Sequence, residues 1–131
     1  GEAVKLLGEI PNPLDLLAAS DIVVSASSVT HFSRPVVEAW GAAKPVIAVR
    51  TAHMEDLITP EVNGVLVDPG DHSELARRIV QILDDQTLAA RLGAEGKLRS
   101  ASDFDAERNL QRIIDTCAAC TRIVERSGVR V

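Results

Sequence analysis

A chain of 131 residues with a net charge of −5 is sized for one domain, long enough to bury roughly two thirds of its unfolded surface, and lacks the cationic field that nucleic acid requires. Its apolar fraction of 46% is ordinary while aromatics make up only 2%, so the core has to be built from Val, Ile, Leu and Ala. No apolar run approaches the roughly 20 residues that span a bilayer, and the opening Gly1-Glu2-Ala3-Val4-Lys5 lacks the charged-then-apolar order of a signal peptide, so a cytoplasmic, soluble protein is expected.

Taken in chain order, the first apolar run is 4–8, followed by similar short runs at 22–26, 46–49 and 64–67. Each is nearly continuous rather than alternating, as expected of strands buried on both faces of a parallel sheet. Helical patterns fall between and after them. One covers 13–19, with Asn12 as its N-cap and Pro13 at its first position. A second covers 35–43, and a short turn follows at 53–58. Asp71 caps a stronger helix, with Glu74 three residues later and apolar residues at 75, 76, 79, 80, 82 and 83. Further helices are expected at 87–93 and 103–123. Asn63-Gly64 and Asp68-Pro69-Gly70 supply the turns, and residues 127–131 are expected to fray. Strands alternating with helices imply right-handed crossovers and an α/β, Rossmann-like three-layer domain. A start on Gly rather than Met, directly at an apolar run, suggests a fragment.

Residues 30–45, Thr-His-Phe-Ser-Arg-Pro-Val-Val-Glu-Ala-Trp-Gly-Ala-Ala-Lys-Pro, carry the chemistry. A polar loop feeds the start of a helix there, where N–H groups without intrahelical acceptors form a seat for a phosphate. A carboxylate one turn in, Glu38, suits the vicinal hydroxyls of a sugar, accepting one hydrogen bond on each oxygen. Trp40 reads as core packing. Cys117 and Cys120 form a C-x-x-C without the further ligands of a zinc site or the strand of a redox motif, and read as two small residues on a helix face. The acids are scattered, so no metal is implied. No G-x-G-x-x-G follows a strand, which argues against a dinucleotide oxidoreductase.

The order G-x-I, L-L-A-A-S-D-I-V-V-S-A-S, F-S-R-P-V-V-E-A-W-G-A-A-K-P-V-I-A and N-G-V-L-V-D-P-G-D resembles the C-terminal, nucleotide-sugar-binding domain of family 4 (group 1) retaining glycosyltransferases of GT-B architecture. The resemblance runs from about Val4 to Leu92. It implies that residues 1–131 are one partial Rossmann-like donor-binding domain with a C-terminal helix at about 103–124. By this resemblance Glu38 holds the donor ribose, Phe32 stands at the family's Phe, and Ser33 and Arg34 meet the diphosphate, with His31 beside them. Thr30 falls where the family has its first, donor-sugar glutamate. Ala52-His53 falls on a Gly-Gly, and Asp56 on a glutamate. No cofactor is implied; the nucleotide-diphosphate sugar is a substrate, whose sugar passes to an acceptor hydroxyl.

The resemblance also implies partners. Two upstream βα units and an N-terminal acceptor domain of the same enzyme are missing, and peripheral membrane contact of the parent is left open. Run 4–8 then pairs with 22–26, crosses to another copy or lies unpaired, and the uncovered edge of 22–26 invites a homo-oligomer. Thr30 and Ala52-His53 keep open a non-catalytic α/β interaction module descended from such an enzyme. The shared GT-B fold keeps open a sugar-nucleotide epimerase, whose expected catalytic acids are not identifiable in the sequence.

Overall fold

The computed structural model describes residues 4–29 and 33–127, with side chains to residue 121. Thr30, His31 and Phe32 lie outside the described residues, as do 128–131 of the stretch 127–131 expected to fray, while Ser127 still belongs to the last helix. Three parallel strands, β1 (Val23–Ser25), β2 (Val46–Val49) and β3 (Val65–Val67), form one sheet in that order. Register pairs Val24 with Ile47 and Val49 with Val67. Among the described residues six helices accompany them: α1 (Pro13–Ala19), α2 (Arg34–Gly41), α3 (Ala52–Leu57), α4 (His72–Asp84), α5 (Gln86–Asp103) and α6 (Ala106–Ser127).

Side chains alternate across a strand, and here both faces are covered. Val46, Ala48 and Leu66 pack on Val36, Ala39 and Trp40 of α2 and Met54 and Leu57 of α3. Ile47, Val49, Val65 and Val67 pack on Ile82 of α4 and Leu92 of α5. All four residues of β2 and all three of β3 are buried. This two-sided burial is why those runs are continuous in sequence, each large side chain contributing about 1.5–3 kcal/mol. The expected α/β, three-layer arrangement about a parallel sheet is the one observed.

Trp40, fully buried, joins the layers. Its indole Nε1 donates to the Asn63 carbonyl at 2.8 Å, while the Asn63 side chain accepts from Thr59 N–H at 2.8 Å. On its other side lies Gly96 of α5, where an added Cβ would sit 2.2 Å from the Trp40 ring. One turn earlier a Cβ on Gly93 would sit 2.2 Å from the Ala43 carbonyl oxygen. That carbonyl belongs to the end of α2, which closes by two reverse bonds, Ala43 N–H to Trp40 O at 2.8 Å and Lys44 N–H to Ala39 O at 2.9 Å. Such a motif places its closing residue at positive φ, and Ala43 has φ 56° without being glycine.

Several sequence expectations are corrected. Run 4–8 is no strand: Val4 and Leu6 are exposed, Leu6 by 93%, and the run lies outside the three-stranded sheet. An extended run without a hydrogen-bonding neighbour has no ladder to join. The helix expected at 87–93 continues to Asp103, because Gly93 and Gly96 are points of close helix contact rather than a stop. Asp103 closes α5, and Asp105 accepts from Arg108 N–H at 2.7 Å to open α6, so the last helix begins later than 103. Asp71 caps α4, accepting from Glu74 N–H at 2.9 Å. Glu74 does not return the bond; Arg77 and Arg78 take its carboxylate and hold it below the usual carboxylate range.

Two substitutions test this packing. Gly93→Ala improves helix propensity yet collides with backbone, so it is expected to lower stability by roughly 1–3 kcal/mol in urea denaturation. Ala43→Gly removes the left-handed penalty at some entropic cost, and should raise stability by about 0.5–1 kcal/mol.

Candidate functional site

Because the strands are parallel, Ser25, Val49 and Val67 end at one edge of the sheet, and the loops after them share that edge. Open α/β sheets bind ligands in the crevice there. Three features meet at it.

The first is the mouth of α2. Ser33 is its N-cap residue and is buried, but its hydroxyl makes no cap bond. It lies instead 3.4 Å from the Ser25 hydroxyl at the end of β1, tying the start of the helix to the sheet. Val36 N–H turns back to Ser33 O at 3.1 Å, and Pro35 has no N–H. The amides of Ser33 and Arg34 are thus the ones at the mouth without an acceptor inside the helix. Arg34 is 81% exposed, and its Nε stands 3.6 Å from the carboxylate of Glu38, itself 31% exposed. At that distance the pair is a loose electrostatic contact rather than a hydrogen bond.

The second feature is a charged cluster that the sequence reading did not single out. Arg50 directly follows β2 and Asp68 directly follows β3, and the pairing of Val49 with Val67 sets them side by side. Arg50 N–H donates to Val67 O at 2.7 Å, its Nε to Asp68 Oδ1 at 2.7 Å, and its Nη1 to Glu55 Oε1 of α3 at 3.0 Å. Bonding to Asp68 first and Glu55 second holds the guanidinium above its ordinary pKa, so it stays charged. The detectable signal was V-I-A-V-R beside V-L-V-D, which pairs opposite charges only once the two strands are neighbours in that register.

The third feature is a cavity of ≈ 210 Å³ lined by Ala26, Ser28, Val49, Asp68, Asp71 and His72, among others. Glu38 does not line it, so the cavity and the α2 mouth occupy different parts of the edge.

Of the residues expected at a site, Ser33, Arg34 and Glu38 are brought together on α2, whereas Thr30, His31 and Phe32 lie outside the described residues. Ala52 and His53 are helical, opening α3 behind the Thr51 cap, whose hydroxyl accepts from Met54 N–H at 3.3 Å. Cys117 and Cys120 are exposed free thiols on α6. Among the described residues no group of three or more His, Cys, Asp or Glu is placed to hold a metal ion, and no helix is long and apolar enough to cross a membrane.

The sequence and fold match known proteins. The family described as "Glycosyl transferases group 1" matches residues 1–99. The chain belongs to the group 1 glycosyltransferases. Its relatives in that group include two lipopolysaccharide core biosynthesis glycosyltransferases of Rhizobium meliloti, LpsE and LpsD. LpsE is 31% identical over 104 residues, covering 79% of this chain and 31% of LpsE. LpsD is 36% identical over 95 residues, covering 72% of this chain and 28% of LpsD. Among solved structures, Anabaena HepE in complex with UDP-glucose superposes with a TM-score of 0.76 at 31% identity, over 79% of this chain and 29% of HepE. The chain therefore spans under a third of the length of each of these proteins.

The two helix caps at the edge separate experimentally. Thr51→Ala removes a cap bond and is expected to cost about 1 kcal/mol in denaturant titration, whereas Ser33→Ala removes only a long hydroxyl contact and should cost less than about 0.5 kcal/mol.

Proposed function

We propose that this chain is part of the donor-binding domain of a family 4, GT-B, retaining glycosyltransferase, and that the whole enzyme moves a sugar from a nucleoside diphosphate to an acceptor hydroxyl. The observation that carries the reading is the family match across residues 1–99 combined with Ser33, Arg34 and Glu38 at the mouth of one helix on the carboxyl edge. In this reading the Ser33 and Arg34 amides face the diphosphate, and the Arg34 side chain adds a cation. Glu38, held only loosely by Arg34, turns its carboxylate to the ribose hydroxyls. The cavity beside Asp71 and His72, at ≈ 210 Å³, is below the roughly 300 Å³ of a small-molecule pocket, in keeping with a site completed by other segments of the enzyme. The binding of UDP-glucose by HepE supports a nucleotide sugar as the ligand. Residues 1–131 are read as one partial domain, with the protein working in the cytoplasm.

A second reading, a scaffold that kept the fold and lost transfer, is favoured by Ala52-His53. Both residues lie in α3 where the resembled family has Gly-Gly, and their side chains restrict close approach of that backbone to a donor.

Calorimetry on the full-length protein with UDP, GDP and their sugars tests the donor reading. Saturable binding is expected, weakened by Glu38→Gln about 10- to 100-fold, the worth of one charge-assisted hydrogen-bond pair of roughly 1.5–3 kcal/mol. No binding of any of these ligands by the intact protein sinks it. Transfer activity gained on Thr30→Glu selects the damaged enzyme over the scaffold.

A further inference from the structure

We propose that Arg50 is a positioning residue for the donor: by bridging Asp68 and Glu55 it fixes the β2–α3 connection at the carboxyl edge and thereby sets affinity for the diphosphate-sugar end of the ligand. The inference rests on the donor-binding reading above.

Arg50 is anchored at both ends. Its N–H extends the β2–β3 ladder to Val67 O, and its guanidinium reaches one carboxylate on each of two further segments, the loop after β3 and helix α3. With its charge committed in two directions, Arg50 is held as a brace rather than extended toward a ligand. The brace matters at this point because the segment it fixes, Thr51 to His53, contains no glycine, so its backbone has little freedom to adjust to a donor. A lysine cannot replace it: a single ammonium lacks the planar fork that meets Asp68 through Nε and Glu55 through Nη1.

Stability does not account for the cluster. Arg50, Glu55 and Asp68 side chains are 40%, 52% and 71% exposed, and exposed ion pairs contribute little to folding. The bridge should therefore show in binding and not in melting.

The experiment uses the full-length protein and compares wild type with Arg50→Gln, Arg50→Lys and Asp68→Asn. Calorimetry with UDP-glucose and GDP-mannose, and with UMP and GMP, is run beside thermal melting. Arg50→Gln is expected to weaken the bound nucleotide sugar about tenfold, with affinity for the corresponding monophosphate within about twofold and the melting temperature nearly unchanged. Arg50→Lys should recover little of the loss, and Asp68→Asn should reproduce part of it. Unchanged sugar-nucleotide affinity in Arg50→Gln overturns the proposal while leaving the donor reading intact. So does full recovery by lysine, which would reduce the role to charge, or a parallel fall in melting and in all affinities, which would make it structural. Failure of wild type to bind any of the four ligands brings down both.

Discussion

The seating of Trp40 is the constraint on which the remainder of this structure depends. A chain with so few aromatics places its one tryptophan, fully buried, where α2, α5 and the turn before β3 meet. The indole N–H needs an acceptor once it leaves water, and the Asn63 carbonyl provides it at 2.8 Å. The ring needs room, and Gly96 provides it by having no Cβ. Asn63 in turn orders its own turn by accepting from Thr59, so one side chain fixes a helix, a turn and the approach to a strand. Since α2 carries Ser33, Arg34 and Glu38, the tryptophan at its far end orients the helix whose opposite end faces the ligand edge.

That edge combines rigid and weakly held parts. The strand ends and the Ser25–Ser33 contact are pinned by the sheet and by burial. The charged groups, Arg34 with Glu38 and Arg50 with Asp68 and Glu55, are exposed and gain their definition from hydrogen-bond geometry. A loose exposed pair such as Arg34 with Glu38 rearranges at little cost, which suits groups that must exchange partners when an anion arrives. The Arg34–Glu38 pair is the looser of the two at 3.6 Å, whereas both bonds of Arg50 have full hydrogen-bond lengths.

Much of the fold was legible in the sequence where local chemistry is decisive. The apolar runs at β2 and β3, Asp71 capping α4, and Pro13 opening α1 are each local choices that agree with the tertiary result. Helix ends were misjudged where a residue with a strong local habit was recruited for contact. Gly93 reads as a stop, yet it lets α5 approach the end of α2. Run 4–8 has the composition of a strand and no ladder to join, because pairing belongs to two segments and not to one. The α2 residues of the candidate site were legible through the family pattern, while Arg50 was not, since nothing in V-I-A-V-R alone names Asp68 as its neighbour.

The sequence by itself determined the layer scheme, the order of elements from α1 onward and the family, because these follow from hydrophobic period, turn chemistry and residue order along the chain. The tertiary structure alone decided what stands next to what. It set the β2–β3 register that brings Arg50 to Asp68, the depth at which Trp40 sits against Gly96, and the turning of the Ser33 hydroxyl from its own helix toward Ser25. Each is a contact between segments distant along the chain or a choice between competing partners, and such choices are made by packing and strand pairing rather than by local propensity.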